Sequence, residues 1–198
     1  MVFSVIERLN LKEAFADNQK FQAVDSEQDY LNELFEHTDR GTVFIHDDDK
    51  VGYSTFVNDT KGLGADKTFR ISNAYHKDLF LWHIDGVLYS KGSKCDCAFL
   101  TDNQISFVEF KSNADNNTEA AIKDNYDKAR RQLSITYKDI DKRCKNVGVE
   151  LRKVIKLEAY AVFNRTVPKN NAHQKAQSAK FLSDNKFKLH FENATDIE

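Results

Sequence analysis

Three charged residues stand at a spacing that could build a hydrolytic centre: Asp96 in one predicted strand, and Glu109 and Lys111 in the next. Side chains on a strand alternate between its two faces, so Glu109 and Lys111 share one face. A turn at Asp102 and Asn103 separates the two predicted strands. Pairing of these strands as a hairpin can therefore bring Asp96 next to Glu109.

Two neighbouring carboxylates form a hard oxygen site that suits Mg²⁺ or Mn²⁺. A metal ion held in such a site polarises a phosphate ester and lowers the pKa of a bound water. Lys111, on the face of Glu109, can orient the attacking water and stabilise the negative charge that develops in the transition state. These residue types therefore predict hydrolysis of a phosphodiester bond.

The pattern Asp96…Glu109-Phe110-Lys111 resembles the PD-(D/E)xK nuclease superfamily, which includes restriction endonucleases and many repair and defence nucleases. The resemblance covers about residues 79–163. It departs from the usual pattern in having a cysteine, where proline is common, before the aspartate. It implies that Asp96 and Glu109 are metal ligands and that Lys111 is the catalytic lysine. It also implies a restriction-endonuclease-like core, a central mixed sheet flanked by helices in α-β-β-β-α-β order.

Relatives in this superfamily carry further site residues. Several have a glutamine in the helix after the lysine, and Gln132 is similar, about a quarter turn from the apolar stripe of its predicted helix. Some take another acid from the first core helix, where Glu27 projects closest to the apolar face and is the candidate metal ligand. Four cations beside the proposed site are candidate nucleic-acid contacts, with an ordinary solvated helix face as the alternative: Lys123, Lys128, Arg130 and Arg131.

The elements that must position these residues follow from the periodicity of the chain. Helical spacing over the first forty residues predicts an N-terminal helix and a second helix that Ser26 caps and Gly41 ends. β-branched and aromatic residues predict two strands and then a central run of strands, with Asp85-Gly86 as a hairpin turn. These strands are expected at 42–46, 53–57, 78–84, 87–89, 94–100 and 105–110.

The second half of the chain has a clearer helical pattern. Apolar residues at steps of three and four predict a long helix that Thr118 caps and Gly148 ends. A strand at 154–163, a helix at 172–182 and a strand at 187–191 are expected after it. We therefore predict an α/β or α+β fold in a single domain over residues 1–198, with its core at about 26–163 and a C-terminal helix-strand extension.

Composition limits the function classes. Twenty-nine Lys and Arg against 31 Asp and Glu give a net charge of −2, which argues against a protein that coats nucleic acid by bulk charge. This balance of charge neither favours nor disfavours a nuclease with an acidic metal site. The sequence has no apolar run of membrane length and no signal segment, so we expect no membrane partner. Three cysteines form no even framework and favour a reducing, cytoplasmic location.

Other chemically suggestive residues have plainer interpretations. Asp96, Glu109 and Lys111 could form an ordinary solvated strand face. The three cysteines are expected to be buried structural thiols rather than a metal or iron–sulfur site. His83 is expected to be a core residue. The run of acids at 47–49 is expected to be a solvated turn, and the two glycines at 62 and 64 a loop.

We therefore predict a Mg²⁺- or Mn²⁺-dependent nuclease that hydrolyses phosphodiester bonds, with DNA favoured over RNA as its substrate. The resemblance to the superfamily implies an endonuclease of antiviral defence or repair, with exonuclease action as the alternative. We expect its specificity to come from a homodimer or from a partner protein subunit. The rival hypothesis is a catalytically inactive nuclease-like subunit that serves a structural or nucleic-acid-docking role. A generic interaction domain would be favoured if Asp96 and Glu109 lay far apart.

Overall fold

The computed structural model describes residues 4–18, 20, 34–111, 118–164 and 171–197. Helices in this part of the chain are α1 (Ser4–Arg8), α2 (Leu11–Ala14), α3 (Glu119–Asn146), α4 (Leu151–Val154) and α5 (Ala172–Asn185). Its strands are β1 (Phe35–Thr38), β2 (Thr42–Asp48), β3 (Tyr53–Val57), β4 (Thr68–Ser72), β5 (Leu79–His83), β6 (Cys97–Thr101), β7 (Gln104–Lys111), β8 (Lys156–Phe163), β9 (Lys188–His190) and β10 (Ala194–Asp196). The fold is mixed α/β, in agreement with the predicted class.

The main sheet has six strands in the order β1-β5-β6-β7-β8-β9. Neighbouring strands from β1 to β7 are antiparallel, whereas β7, β8 and β9 are parallel. Parallel neighbours need a crossover connection, and α3 lies in the one between β7 and β8. The segment from β5 to β8 thus has the order β-β-β-α-β.

Helices cover one face of the main sheet and a second sheet covers the other. Alternate side chains of β7 divide between two hydrophobic clusters, as a strand buried on both faces requires. Ile105 and Phe107 belong to the cluster shared with α3, whereas Val108 and Phe110 belong to the cluster shared with the second sheet. The three layers therefore meet along β7, the strand that ends on Lys111.

The second sheet has four strands in the order β10-β4-β2-β3. Its strands β2, β3 and β4 are antiparallel neighbours, and β10 pairs with β4 in parallel. Aromatic rings join the two sheets, with Phe69 of β4 4.9 Å from Tyr160 of β8 and 6.0 Å from Phe99 of β6, centroid to centroid.

Helix α3 is the long amphipathic helix that the sequence predicts. The Thr118 hydroxyl accepts a hydrogen bond from the N–H of Ala121 at 3.3 Å, so this residue caps the helix as expected. Buried residues repeat along one face, including Tyr126, Leu133 and Ile140. The helix is followed by Gly148, whose φ of 84° lies in the left-handed region.

The predicted helix ending at Gly41 is wrong at its C-terminal end. Phe35–Thr38 forms strand β1, and Phe35 lies opposite Trp82 of β5 with the two rings stacked at 5.5 Å. Pairing with the edge of the main sheet overrides the local helical spacing there. The expected helix start at Ser26, together with Glu27, lies outside the described residues.

The predicted strand at 87–89 is also wrong. Residues 84–89 form a turn, in which the N–H of Gly86 donates to the carbonyl of Tyr89 at 3.1 Å. Val87 and Leu88 are buried in the helix-side cluster, so their apolar character serves packing rather than strand pairing. The hairpin partner of β5 is β6.

Besides β1, three elements were not predicted: β4, β10 and the short helix α4. Because α4 occupies residues 151–154, the strand expected from residue 154 begins at Lys156. The predicted strands β2, β3 and β7 and the helix α5 are present. No helix in the described part of the chain combines the length and apolar character needed to cross a membrane.

Candidate active site

The pairing of β6 with β7 brings the two predicted carboxylates together. Cys97 lies opposite Val108 and Ala98 opposite Phe107. Continuing this antiparallel register by one residue places Asp96, just before β6, opposite Glu109. The backbone N–H of residue 110 donates to Asp96 Oδ2 at 2.5 Å, which fixes this carboxylate against the end of β7.

Lys111 joins the carboxylate pair to the long helix. Its ammonium group donates to Glu109 Oε1 and, at 2.5 Å, to Gln132 Oε1. The amide nitrogen of Gln132 in turn donates to the carbonyl of Lys94 at 2.9 Å. Gln132 therefore holds the lysine of β7 and the segment before Asp96 in a fixed relation to each other.

Burial raises the energy of negative charge in this site. Glu109 is only 1% exposed, and its Oε2 is buried without a hydrogen-bond partner among the residues that the structure describes. Burial raises the pKa of Glu109 well above its ordinary value, the charge of Asp96 raises it further, and Lys111 opposes the shift. Burial, followed by the charge of Asp47, raises the pKa of Asp96 to about 7. Both carboxyls would be stabilised as anions by an additional cation.

The residues present fit a hard divalent cation. Within the described residues, no group of three or more His, Cys, Asp or Glu side chains is arranged to hold a metal ion. Mg²⁺ needs no such group, because it commonly keeps several waters and binds protein through one or two carboxylates. The Oε2 atom of Glu109, opposite Asp96, is a buried acceptor that lacks a partner in the described part of the chain. Asp96 and Glu109 can therefore supply the protein ligands of a Mg²⁺ or Mn²⁺ ion.

Asp47 is a site neighbour that the sequence analysis missed. The expected solvated turn at 47–49 is wrong for this residue, which lies near the end of β2 and is half-buried. Its charge contributes to the raised pKa values of both Asp96 and Glu109. The alternation of Val43 and Ile45, both buried, already placed Asp47 on the inward face of that strand.

The turn after β5 also reaches the site. The N–H of Asp85 donates to the carbonyl of Asp96 at 3.1 Å, and the charge of Asp85 contributes to the raised pKa of Asp96. A Cβ on Gly86 would lie 2.7 Å from the carbonyl oxygen of Gly52, so this turn packs directly against the β2–β3 turn. This contact brings the second sheet up to the ends of β6 and β7.

The four candidate nucleic-acid contacts all lie on α3 and all pair with acids. Arg130 is only 6% exposed, and its guanidinium donates to Gln177 at 2.7 Å and to Asp127 at 2.8 Å. It packs α3 against α5, and we assign it no phosphate contact. The other three pair along the helix, in the ion pairs Lys123–Glu119, Lys128–Asp124 and Arg131–Asp127.

The remaining chemically suggestive residues are buried. Cys95, Cys97 and Cys144 are free thiols without exposed surface, and burial raises the pKa of each. His83 is 2% exposed, and its Nε2 lies 3.2 Å from Glu36 Oε1, as expected for a core histidine with a partner.

Comparison with known proteins finds no relative: no family model and no curated protein matches the chain, and no solved structure matches its fold. The interpretation of the site therefore depends on its own geometry and on the order of its elements.

Proposed function

We propose that this protein is a Mg²⁺- or Mn²⁺-dependent nuclease of the PD-(D/E)xK type that hydrolyses phosphodiester bonds in DNA. The observation that carries this proposal is the meeting of Asp96, Glu109 and Lys111 at the adjoining ends of two strands, with one buried carboxylate oxygen of Glu109 unpaired within the described ranges. An ordinary solvated strand face would not bury these side chains, since burying charge is costly without a functional return.

Each residue has a distinct role in this proposal. Asp96 and Glu109 hold the metal ion, which when bound polarises the scissile phosphate and activates a water. Lys111 orients that water and stabilises the charge on the transferring phosphoryl group. Gln132 is a positioning residue, because it accepts a hydrogen bond from the Lys111 ammonium at 2.5 Å.

The order of elements supports the same proposal. The β-β-β-α-β order of β5, β6, β7, α3 and β8 is the larger part of the α-β-β-β-α-β order of restriction-endonuclease-like cores. Asp96 lies immediately before the second strand of this unit, Glu109 in the third strand and Gln132 in the following helix. In this proposal, the second sheet is an addition to that core and contributes Asp47 to the surroundings of the site.

The biological setting is proposed from the resemblance to the nuclease superfamily. We propose a cytoplasmic DNA nuclease of antiviral defence or repair that gains specificity as a homodimer or through a partner subunit. The alternative function is an inactive nuclease-like docking subunit. Lys111 forms an ion pair with Glu109 and so already neutralises one carboxylate without a metal ion. This contact is the observation that favours the alternative.

The proposal is tested by cleavage of linear, circular and single-stranded DNA, and of RNA, with Mg²⁺ or Mn²⁺ against a chelator. We expect metal-dependent cleavage of DNA by the wild type and none by Glu109→Ala. Mn²⁺ calorimetry on the same two proteins separates the alternatives if neither cuts. A metal site that is lost in Glu109→Ala indicates a nuclease that needs its partner, whereas no metal site in either protein indicates the inactive subunit.

A further inference from the structure

The segment that leads into Asp96 is fastened to α3 at both ends. At its start, the hydroxyl of Tyr89 donates to the carboxylate of Asp139. At its end, the N–H of Cys95 donates to Thr136 Oγ1 at 2.8 Å. Both partners lie on α3. The loop of residues 90–94 is therefore held beside the catalytic residues by fixed anchors.

Between these anchors the loop presents unused hydrogen-bond donors. No partner among the residues that the structure describes accepts from the backbone N–H groups of residues 90–93. The hydroxyls of Ser90 and Ser93 likewise have no partner there. All four residues are exposed. The ammonium group of Lys91 makes no ion pair within those residues either, in contrast to the paired lysines of α3 described above. Phosphate oxygens commonly accept hydrogen bonds from exposed backbone N–H groups and from lysine ammonium groups.

The loop also lies on the positive side of the site. Lys94, which ends the loop, places its ammonium 4.3 Å above the ring of Tyr89 and 3.8 Å from Asp139 Oδ2. Exposed Lys138 and Lys142 continue the positive charge along α3. The acidic neighbours of the site, Asp47 and Asp85, are contributed instead by the second sheet and by the turn that packs against it.

This separation of charge gives an approach direction. A phosphate backbone is repelled by the carboxylates on the side of the second sheet and attracted by the lysines on the side of α3. The strand would reach Asp96 and Glu109 across the loop, whose last residue has its carbonyl bonded to Gln132. The metal-binding carboxylates and the phosphate donors are thus adjacent but distinct.

We propose that the loop of residues 90–94 binds the phosphate backbone of the DNA strand beside the scissile bond, with Lys91 as its main ionic contact. This inference rests on the proposed nuclease function, and it names the part of the chain that grips the substrate. The contact is to phosphate and carries no sequence preference.

The test is a fluorescence-anisotropy titration of a labelled DNA duplex, in a Glu109→Gln background that stops cleavage. Lys91→Glu is compared with Lys188→Glu, which makes the same charge change at an exposed position on edge strand β9. We expect Lys91→Glu to weaken binding about five- to tenfold and to lower the salt dependence by about one released counterion. Lys188→Glu should bind as the parent does.

Equal affinities for Lys91→Glu and its parent, or equal losses in both variants, would overturn the loop inference. Absence of any DNA binding would overturn it as well. Cleavage by the protein with Glu109 intact is measured in parallel, which separates the two proposals. A Lys91 effect on binding, with neither cleavage nor a Mn²⁺ site in the protein with Glu109 intact, leaves the loop standing as a DNA-binding surface and contradicts the nuclease function. Cleavage without a Lys91 effect on binding supports the nuclease function and contradicts the loop inference.

Discussion

The ammonium group of Lys111 donates to Gln132 Oε1 at 2.5 Å, and this hydrogen bond joins the end of β7 to the middle of α3. The lysine is thereby held between a helix amide and the carboxylate of Glu109. A flexible lysine side chain loses much conformational freedom when it is fixed in this way. Such fixation is useful where a charge must meet a transition state at one position.

Gln132→Ala should therefore reduce catalysis without reducing metal binding. We expect single-turnover DNA cleavage to fall about ten- to hundredfold, because Lys111 loses the group that positions it. Mn²⁺ affinity by calorimetry should stay unchanged. Gln177→Ala is the matched control, since it removes a glutamine that is bonded to Arg130 away from the site. Equal cleavage rates for the two variants would show that Gln132 does not position the lysine.

The raised pKa of Asp96 predicts an unusual dependence of stability on pH. This pKa is about 7 in the folded protein against an ordinary 3.8, so between these values the folded state binds more protons than the unfolded state. The free energy of unfolding must then fall as pH rises through this range. In chelator, Asp96→Asn should raise the melting temperature at about pH 8 and have little effect near pH 4. A lower melting temperature for this variant at the higher pH would contradict the prediction.

The sequence predicted the β6–β7 hairpin well because the pattern that specifies it is local. Alternation along residues 105–110 and a short turn before them determine which side chains share a face, and the observed register brings Asp96 to Glu109. The long helix with Gln132 is likewise determined by a periodic apolar face. Both features are specified by residues that lie close to the motif in the sequence.

Contacts between distant segments could not be predicted in the same way. Strand β10 pairs in parallel with β4, so that Thr195 lies opposite Ile71, and no local pattern indicates that partner. The inward direction of Asp47 follows from the alternation along β2, but its place beside the site depends on the packing of the β2–β3 turn against Gly86. Strand choice is governed by such tertiary neighbours more than by intrinsic preference.

The contact between Gly86 and Gly52 can be tested by substitution. Gly86→Ala introduces a Cβ 2.7 Å from a backbone oxygen at a φ of 75°, whereas Gly62→Ala introduces one at a similar φ of 81° into open space. Backbone strain should cost both variants about 1–2 kcal/mol, and the clash should cost Gly86→Ala about 1–3 kcal/mol more. Urea denaturation measures both free energies of unfolding. Equal losses would show that the two turns do not pack together.

The buried thiols should be unreactive in the native protein. Burial raises the pKa of Cys95, Cys97 and Cys144, so little thiolate is present at neutral pH. We expect slow reaction with an aromatic disulfide reagent under native conditions and rapid reaction of all three cysteines in denaturant. Fast modification of one native thiol would contradict its structural assignment.

The most direct measurement of the central claim is the rate of Mn²⁺-dependent DNA cleavage by the wild type, Lys111→Met and Lys153→Met. Lys153 is a matched control, because its side chain is 71% exposed and pairs on the surface with Glu150, away from Asp96 and Glu109. We expect the Lys111 variant to lose about 10²- to 10³-fold in rate and the Lys153 variant to cut as the wild type does. Equal rates for the two variants, or a wild type that neither cuts DNA nor binds Mn²⁺, would contradict the assignment of Asp96, Glu109 and Lys111 as a nuclease centre.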